Sequence, residues 1–220
     1  MLSKARDAGR GTRDAKRKGI LYVISAPSGA GKTSICRDIL KLFPELRQSI
    51  SYTTRVARPG ERDGIDYHFV SQEVFDGMVA DGAFAEWAEV HDNCYGTASA
   101  TLEQASGEGA DVLLEIDFQG ATQLRCSGLD GVFIFILPPD MNELRKRLVF
   151  RKTDDEKIIA RRMANAAGEI SESVNFDYLV VNDALDQAVE KVRAIMIAET
   201  TRTARIIDTL PEEFGLKNST

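Results

Sequence analysis

The amino-acid sequence predicts an α/β fold: a doubly wound parallel sheet with helices on both faces. Three observations point there. Strand-length runs that are almost wholly apolar recur along the chain, as in strands buried on both sides. Segments with helical periodicity separate them, the signature of βαβ units. The first run passes through a glycine-rich turn directly into a helical pattern, and open α/β sheets bind ligands at such junctions.

The runs fall at residues 20–26, 111–117, 132–137 and 178–181. Helical patterns follow near 31–43, 119–126, 140–150, 155–172 and 184–203. Residues 51–100 interrupt this rhythm, being rich in Thr, Arg, Gly, Asp and aromatics. They read as short antiparallel strands around a small helix near 71–80, a mixed α+β lobe inserted into the core. A second irregular stretch, 147–157, is dense in charge and opens a helix at Thr153 or Asp154, both suited to capping it. The expected division is a disordered basic tail at 1–18 and a domain at 19–205. That domain has its core at 19–50 and 101–205, the lobe at 51–100 and a lid at about 147–160. A loose C-terminus follows at 206–220.

The 220 residues suffice for one good core, and 43% hydrophobic with 28% charged residues is ordinary for a globular protein. No apolar run is long enough to span a bilayer. The net charge of −6 gives no global basic field for nucleic acid, although residues 1–19 carry a local +5. That segment lacks the apolar stretch of a secretory signal. Cys36, Cys94 and Cys126 form neither a disulfide framework nor a zinc spacing, which suits a reducing cytoplasm. His68 and His91 are too few for a histidine metal site.

The turn reads Ala26-Pro27-Ser28-Gly29-Ala30-Gly31-Lys32-Thr33. Backbone N–H groups directed into such a turn, together with the helix N-terminus, make a cradle for phosphate. Lys32 can reach the terminal phosphates of a nucleoside triphosphate, and Thr33 can ligate Mg²⁺. The generic pattern has Gly where this chain has Ala26.

A second anion site lies in the lobe. Arg55 and Arg58 stand three residues apart before Pro59-Gly60-Glu61, and the planar guanidinium fork bonds phosphate oxygens in pairs. Tyr67 and Tyr95 can add phenol hydroxyls, and Thr97 a hydroxyl on a base. In Phe84-Ala85-Glu86-Trp87-Ala88-Glu89-Val90, strand alternation puts Glu86 on the face of Phe84, Ala88 and Val90. A carboxylate on an apolar face needs a partner. Guanine presents two adjacent donors that one carboxylate can accept together, whereas adenine presents one. A carboxylate turned to water or paired with Arg is the other reading of Glu86.

Taken in order, these motifs closely resemble the guanylate kinase family from about residue 19 to about residue 200. The resemblance rests on Ser-Gly-Ala-Gly-Lys-Thr, Thr-Thr-Arg-x-x-Arg-Pro-Gly-Glu, Glu-Trp-Ala-Glu, Tyr-Gly-Thr, Ile-Asp-x-Gln-Gly and Val181-Asn182-Asp183. It implies a five-stranded parallel sheet of the P-loop NTPase kind, a lobe that takes GMP, a mobile lid, and ATP-dependent phosphorylation of GMP with Mg²⁺. It further implies that Arg55, Arg58, Tyr67 and Tyr95 hold the GMP phosphate, and that Ser51, Glu86, Thr97 and Asp117 surround guanine. Lys32 and the loop would hold the ATP phosphates, Arg147, Arg151 and Arg162 would close over them, and Asn182 would contact adenine. Two positions depart from the family pattern. Glu115, a candidate for Mg²⁺, stands where Asp is usual, and Phe150-Arg151-Lys152 stands where Gly-Arg-Gly is expected. The competing readings are a monophosphate kinase of other base specificity and a non-catalytic phosphopeptide-binding module of the same family.

Overall fold

The structure, a computed structural model, describes residues 18–90, 92–150 and 156–216. The strands are β1 (Leu21–Ser25), β2 (Arg47–Gln48), β3 (Tyr52–Thr53), β4 (His68–Phe69), β5 (Phe84–Val90), β6 (Asn93–Ala98), β7 (Val112–Glu115), β8 (Gly131–Leu137) and β9 (Tyr178–Val181). The helices are α1 (Lys32–Leu42), α2 (Gln72–Ala80), α3 (Ser99–Glu108), α4 (Phe118–Cys126), α5 (Met141–Phe150), α6 (Glu156–Ser171), α7 (Leu185–Thr200) and α8 (Thr203–Ile206).

Five strands form one parallel sheet in the order β2-β7-β1-β8-β9. The order reverses direction at β1, so the turn after β1 opens at the switch point of the sheet. Both faces are apolar because successive side chains alternate. Tyr22 and Ile24 of β1 pack with Ile35 and Ile39 of α1 and Val192 and Met196 of α7. Leu21 and Val23 pack on the opposite face with Leu102 of α3 and Leu124 of α4. A third, small cluster joins Leu144 and Leu148 of α5 to Met163 and Ala166 of α6. It lies against the glycine-rich turn, since a Cβ on Gly29 would meet Leu148 at 3.0 Å.

Residues 52–98 carry a separate four-stranded sheet in the order β4-β3-β6-β5. Its pairing is antiparallel except at β3–β4, which is parallel, where the sequence had suggested antiparallel strands throughout. Aromatic rings fill this lobe. Fully buried Phe75 of α2 stacks on Phe84 at 4.6 Å and meets Trp87 edge-on. Tyr52 stacks on His68, which makes that histidine structural.

Several boundaries differ from the expectation. The strand expected over 111–117 ends at Glu115, because Asp117 turns to cap α4 and accepts from the N–H groups of Gln119 and Gly120. Helix α3 was not expected; its buried face consists only of Leu102 and Ala105, too thin a stripe to register as a period. The edge strand β2 consists of two exposed polar residues. The last helix ends at Thr200, and α8 and two 3-10 turns, Ile207–Thr209 and Glu212–Phe214, follow it. Arg205 ties this segment to buried Glu199. The basic tail up to residue 17, His91 and residues 151–155 lie outside the described residues. Among the described residues no helix is long and apolar enough to cross a membrane.

Truncating the ring at the centre of the lobe, Phe75→Ala, should lower stability by about 3–5 kcal/mol. Urea denaturation of the variant and the parent chain measures this difference.

Candidate active site

The turn after β1 is built as an anion cradle. Ala30 N–H donates to the Pro27 carbonyl at 3.1 Å, and Gly29 and Gly31 take φ of 92° and 99°. These left-handed conformations explain the glycines. Helix α1 starts at Lys32 with no side-chain cap, so the turn itself faces the N–H groups of its first coil. Lys32 Nζ donates to the carbonyl of Ile116 at 2.7 Å, which holds the ammonium at the C-terminal end of β7. Thr33 Oγ1 donates to Glu115 Oε1 at 2.5 Å. A hydroxyl and a carboxylate are oxygen donors only, the set that Mg²⁺ takes together with waters and phosphate. Among the described residues no cluster of three or more His, Cys, Asp or Glu could hold a metal alone. The residues present therefore fit an ion that arrives largely ligated by nucleotide and water.

The lobe supplies the second cationic point. Arg55 makes a paired contact with Glu61, at 3.0 Å and 2.9 Å, and Glu61 also accepts the Arg58 N–H at 2.7 Å. The hydrogen bonds that Arg55 donates to Glu61 raise the Arg55 pKa further and lower that of the Glu61 carboxyl. The guanidinium sits over the Tyr67 ring at 5.3 Å and near Phe69, and Tyr95 meets the Tyr67 ring edge-on at 6.0 Å. Burial, aided by the charge of Glu115, pushes the Tyr67 phenol up to about 12. Arg55, Tyr67 and Tyr95 are thus brought together as expected. The Arg58 residue is exposed at the rim.

Glu86 is 3% exposed, far from the solvated alternative. Thr97 Oγ1 donates to its Oε1 at 2.5 Å, and burial pushes the carboxyl up to about 7, with the charge of Asp117 adding to the rise. Its other oxygen faces α4, where a Cβ on Gly120 would lie 2.1 Å away. Gln123 of α4 clasps the same strand, accepting from Trp87 N–H and donating to Trp87 carbonyl. Glu86, Thr97 and Asp117 therefore converge where the lobe meets the core. Ser51 is half-buried at the entry to β3, and its carbonyl accepts from His68 N–H.

At the other end of the cradle, Arg147 donates to Glu143 and, at 3.1 Å, to the Asn182 carbonyl. Asn182 is buried, and its amide donates to Ala30 of the cradle. Arg162 is half-buried on α6. Arg151 lies outside the described residues. The cradle and the lobe site are close enough for their charges to act on each other. The Lys32 ammonium bears on Glu86, and the Glu115 carboxylate on Tyr67.

Comparison with known proteins decides the family. The guanylate kinase family model matches residues 18–199. The chain belongs to the guanylate kinase family. It is 61% identical over 191 residues to the guanylate kinase of Syntrophotalea carbinolica, covering 87% of this chain and 91% of that one. With the guanylate kinase of Geobacter sulfurreducens it shares 54% over 201 residues, covering 91% and 99%. The crystal structure of guanylate kinase from Anaplasma phagocytophilum superposes with a TM-score of 0.74 at 33% identity, covering 94% of this chain and all of that one.

Four residues beside these groups, Glu61, Gly120, Gln123 and Glu169, are not marked by the sequence alone. Glu61 was visible only as part of a motif, and its grip on Arg55 needs the turn at Pro59-Gly60 to fold back. Gly120 and Gln123 touch β5 from a helix 30 or more positions away, which no local pattern records. Glu169 of α6 is half-buried; burial raises its carboxyl, and Lys32 and Asp117 bear on it.

The raised Glu86 carboxyl sets a pH dependence. Its unfolded value of 4.5 lies below the folded value of about 7, so its contribution to stability is full below the former and is lost as pH rises through the latter. The loss by pH 8 is roughly 3 kcal/mol. Glu86→Gln should remove that loss, leaving the ligand-free variant more stable than the parent at pH 8 and little changed at pH 4.5. Thermal denaturation at the two pH values reads the difference.

Proposed function

We propose that the protein transfers the γ-phosphoryl group of ATP to the phosphate of GMP, and of dGMP, giving the diphosphate and ADP. The observation that carries this reading is the pairing of buried Glu86 with Thr97 at the lobe–core junction, beside an arginine–tyrosine anion site and next to a lysine-bearing phosphate cradle. Guanine offers its ring N–H and exocyclic amine to the Glu86 carboxylate, with Thr97, Ser51 and Asp117 around the ring. Arg55, Arg58, Tyr67 and Tyr95 take the GMP phosphate. The turn from Ala26 to Thr33 takes the ATP phosphates, with Arg147, Arg151 and Arg162 closing from the lid side and Asn182 at the adenine end.

The chemistry needs alignment and charge neutralisation rather than a strong base, because an acceptor phosphate oxygen is already anionic near neutral pH. Lys32 balances charge on the phosphoryl group in flight, and Arg55 holds the attacking phosphate in line with it. Thr33 and Glu115 would hold Mg²⁺ through hydroxyl, carboxylate and water, and the bound ion would neutralise phosphate charge. Closure of the lobe at 51–100 and the lid at about 147–160 excludes water and so limits ATP hydrolysis. A reducing cytoplasm, where the three cysteines stay free, is the compartment that suits this reaction.

A coupled assay of ATP with GMP, AMP, CMP and dTMP tests the reading: turnover with GMP far above the others is expected, and an equal or greater rate with another acceptor contradicts it. Lys32→Ala should cut kcat by about 100-fold or more while changing the KM for GMP little. In steady-state kinetics from pH 6 to 8, the KM for GMP should fall as Glu86 ionises through about pH 7. Glu86→Gln should abolish that component and erode the preference for GMP over AMP, since its amide sets a donor against a donor.

A further inference from the structure

Asn182 directly follows β9, and the sheet fixes it there. Its N–H donates to the Leu137 carbonyl at 2.8 Å, one step beyond the β8–β9 ladder. The residue is 5% exposed, and its Nδ2 donates to the Ala30 carbonyl at 2.7 Å across 152 positions of sequence. Ala30 lies between the two left-handed glycines of the cradle. A Cβ on Gly31 would come within 2.4 Å of the same Nδ2. From α5, Arg147 Nη2 donates to the Asn182 carbonyl at 3.1 Å.

The peptide joining Ala30 to Gly31 is trans, so its carbonyl and its N–H point in opposite directions. Holding the Ala30 carbonyl toward Asn182 therefore directs the Gly31 N–H to the other face of the turn. Without that hold the peptide can rotate at little cost, because glycine accepts either sign of φ. We infer that Asn182 is a positioning residue of the phosphate cradle: it fixes the orientation of the Ala30–Gly31 peptide and keys Arg147 of α5 to the same turn. This goes beyond a contact with adenine, since its effect falls on phosphate whatever base is attached. It rests on the reading of the turn as the site of the ATP phosphates.

The test uses calorimetric titration of the full chain with Mg·ATP, with magnesium tripolyphosphate, which carries no base, and with GMP. The proteins are the parent, Asn182→Ala, and Asn182→Leu, which keeps the volume and removes the donor. Both variants should bind Mg·ATP and magnesium tripolyphosphate more weakly by a similar factor, about tenfold, from one buried carbonyl left unpaired. GMP affinity should stay at the parental value. Weaker ATP binding with tripolyphosphate unchanged would make Asn182 a reader of the base and overturn the inference, as would parental affinity for both. Loss of GMP binding in step with ATP would make it a general stabiliser of the fold and also overturn it. A parent chain that bound neither ATP nor tripolyphosphate would remove the reading of the turn itself, and the inference with it.

Discussion

Two phosphate groups brought to bonding distance repel each other, and the architecture is arranged around that repulsion. Two unit charges 4 Å apart interact by about 4 kcal/mol at the effective dielectric of a protein surface, and phosphates carry more than one charge each. Direct transfer therefore needs fixed positive groups on both sides before the ligands arrive. The parallel sheet delivers one side, because its switch point places the turn after β1 and the start of α1 at the C-terminal ends of the strands. The lobe delivers the other, through an arginine held over an aromatic ring.

The cations of the site each have partners within the chain. Lys32 donates to a strand-end carbonyl, Arg55 to Glu61, and Arg147 to Glu143 and Asn182. Each long side chain is thereby held in one place, which on the proposed reading reduces the conformational entropy lost when phosphate binds. Glu61 and Glu143 also offset the positive charge of the arginines they pair with. Glu86 makes the opposite compromise. Its burial costs stability when it ionises, and on the proposed reading that same burial makes two donors on a purine valuable to it.

Much of this was legible in the sequence. The apolar runs at 20–26 and 132–137 mark strands because a sheet covered on both faces leaves no polar alternation to dilute the signal, and the run at 178–181 is equally apolar although Leu179 and Val181 of the edge strand β9 stay exposed. The cradle was legible because its glycines, lysine and threonine are contiguous. Glu86 was half legible: alternation put it on one face with Phe84, Ala88 and Val90, but a bulge between Phe84 and Glu86 turns Phe84 to the side of Phe75 and Trp87, and only the fold brings Thr97 and Gly120 against Glu86. Helix α3 and strand β2 were hidden, the one by its thin buried stripe and the other by its two polar edge residues. Asp117 reads as a strand residue because the apolar run continues to Ile116, whereas its Oδ1 caps α4. Long-range partners such as Gln123 for Trp87 and Asn182 for Ala30 leave no period in a single chain.

Adjacent, mutually oriented sites for two anions are the core of this account, and a ligand that spans both examines it most directly. Adenosine and guanosine joined through their 5′ oxygens by five phosphates should bind at least about 100-fold more tightly than GMP alone, because the second half binds at high effective concentration. An affinity no better than that of the stronger half would mean that the two sites cannot be filled at once in line, and would contradict direct transfer between them.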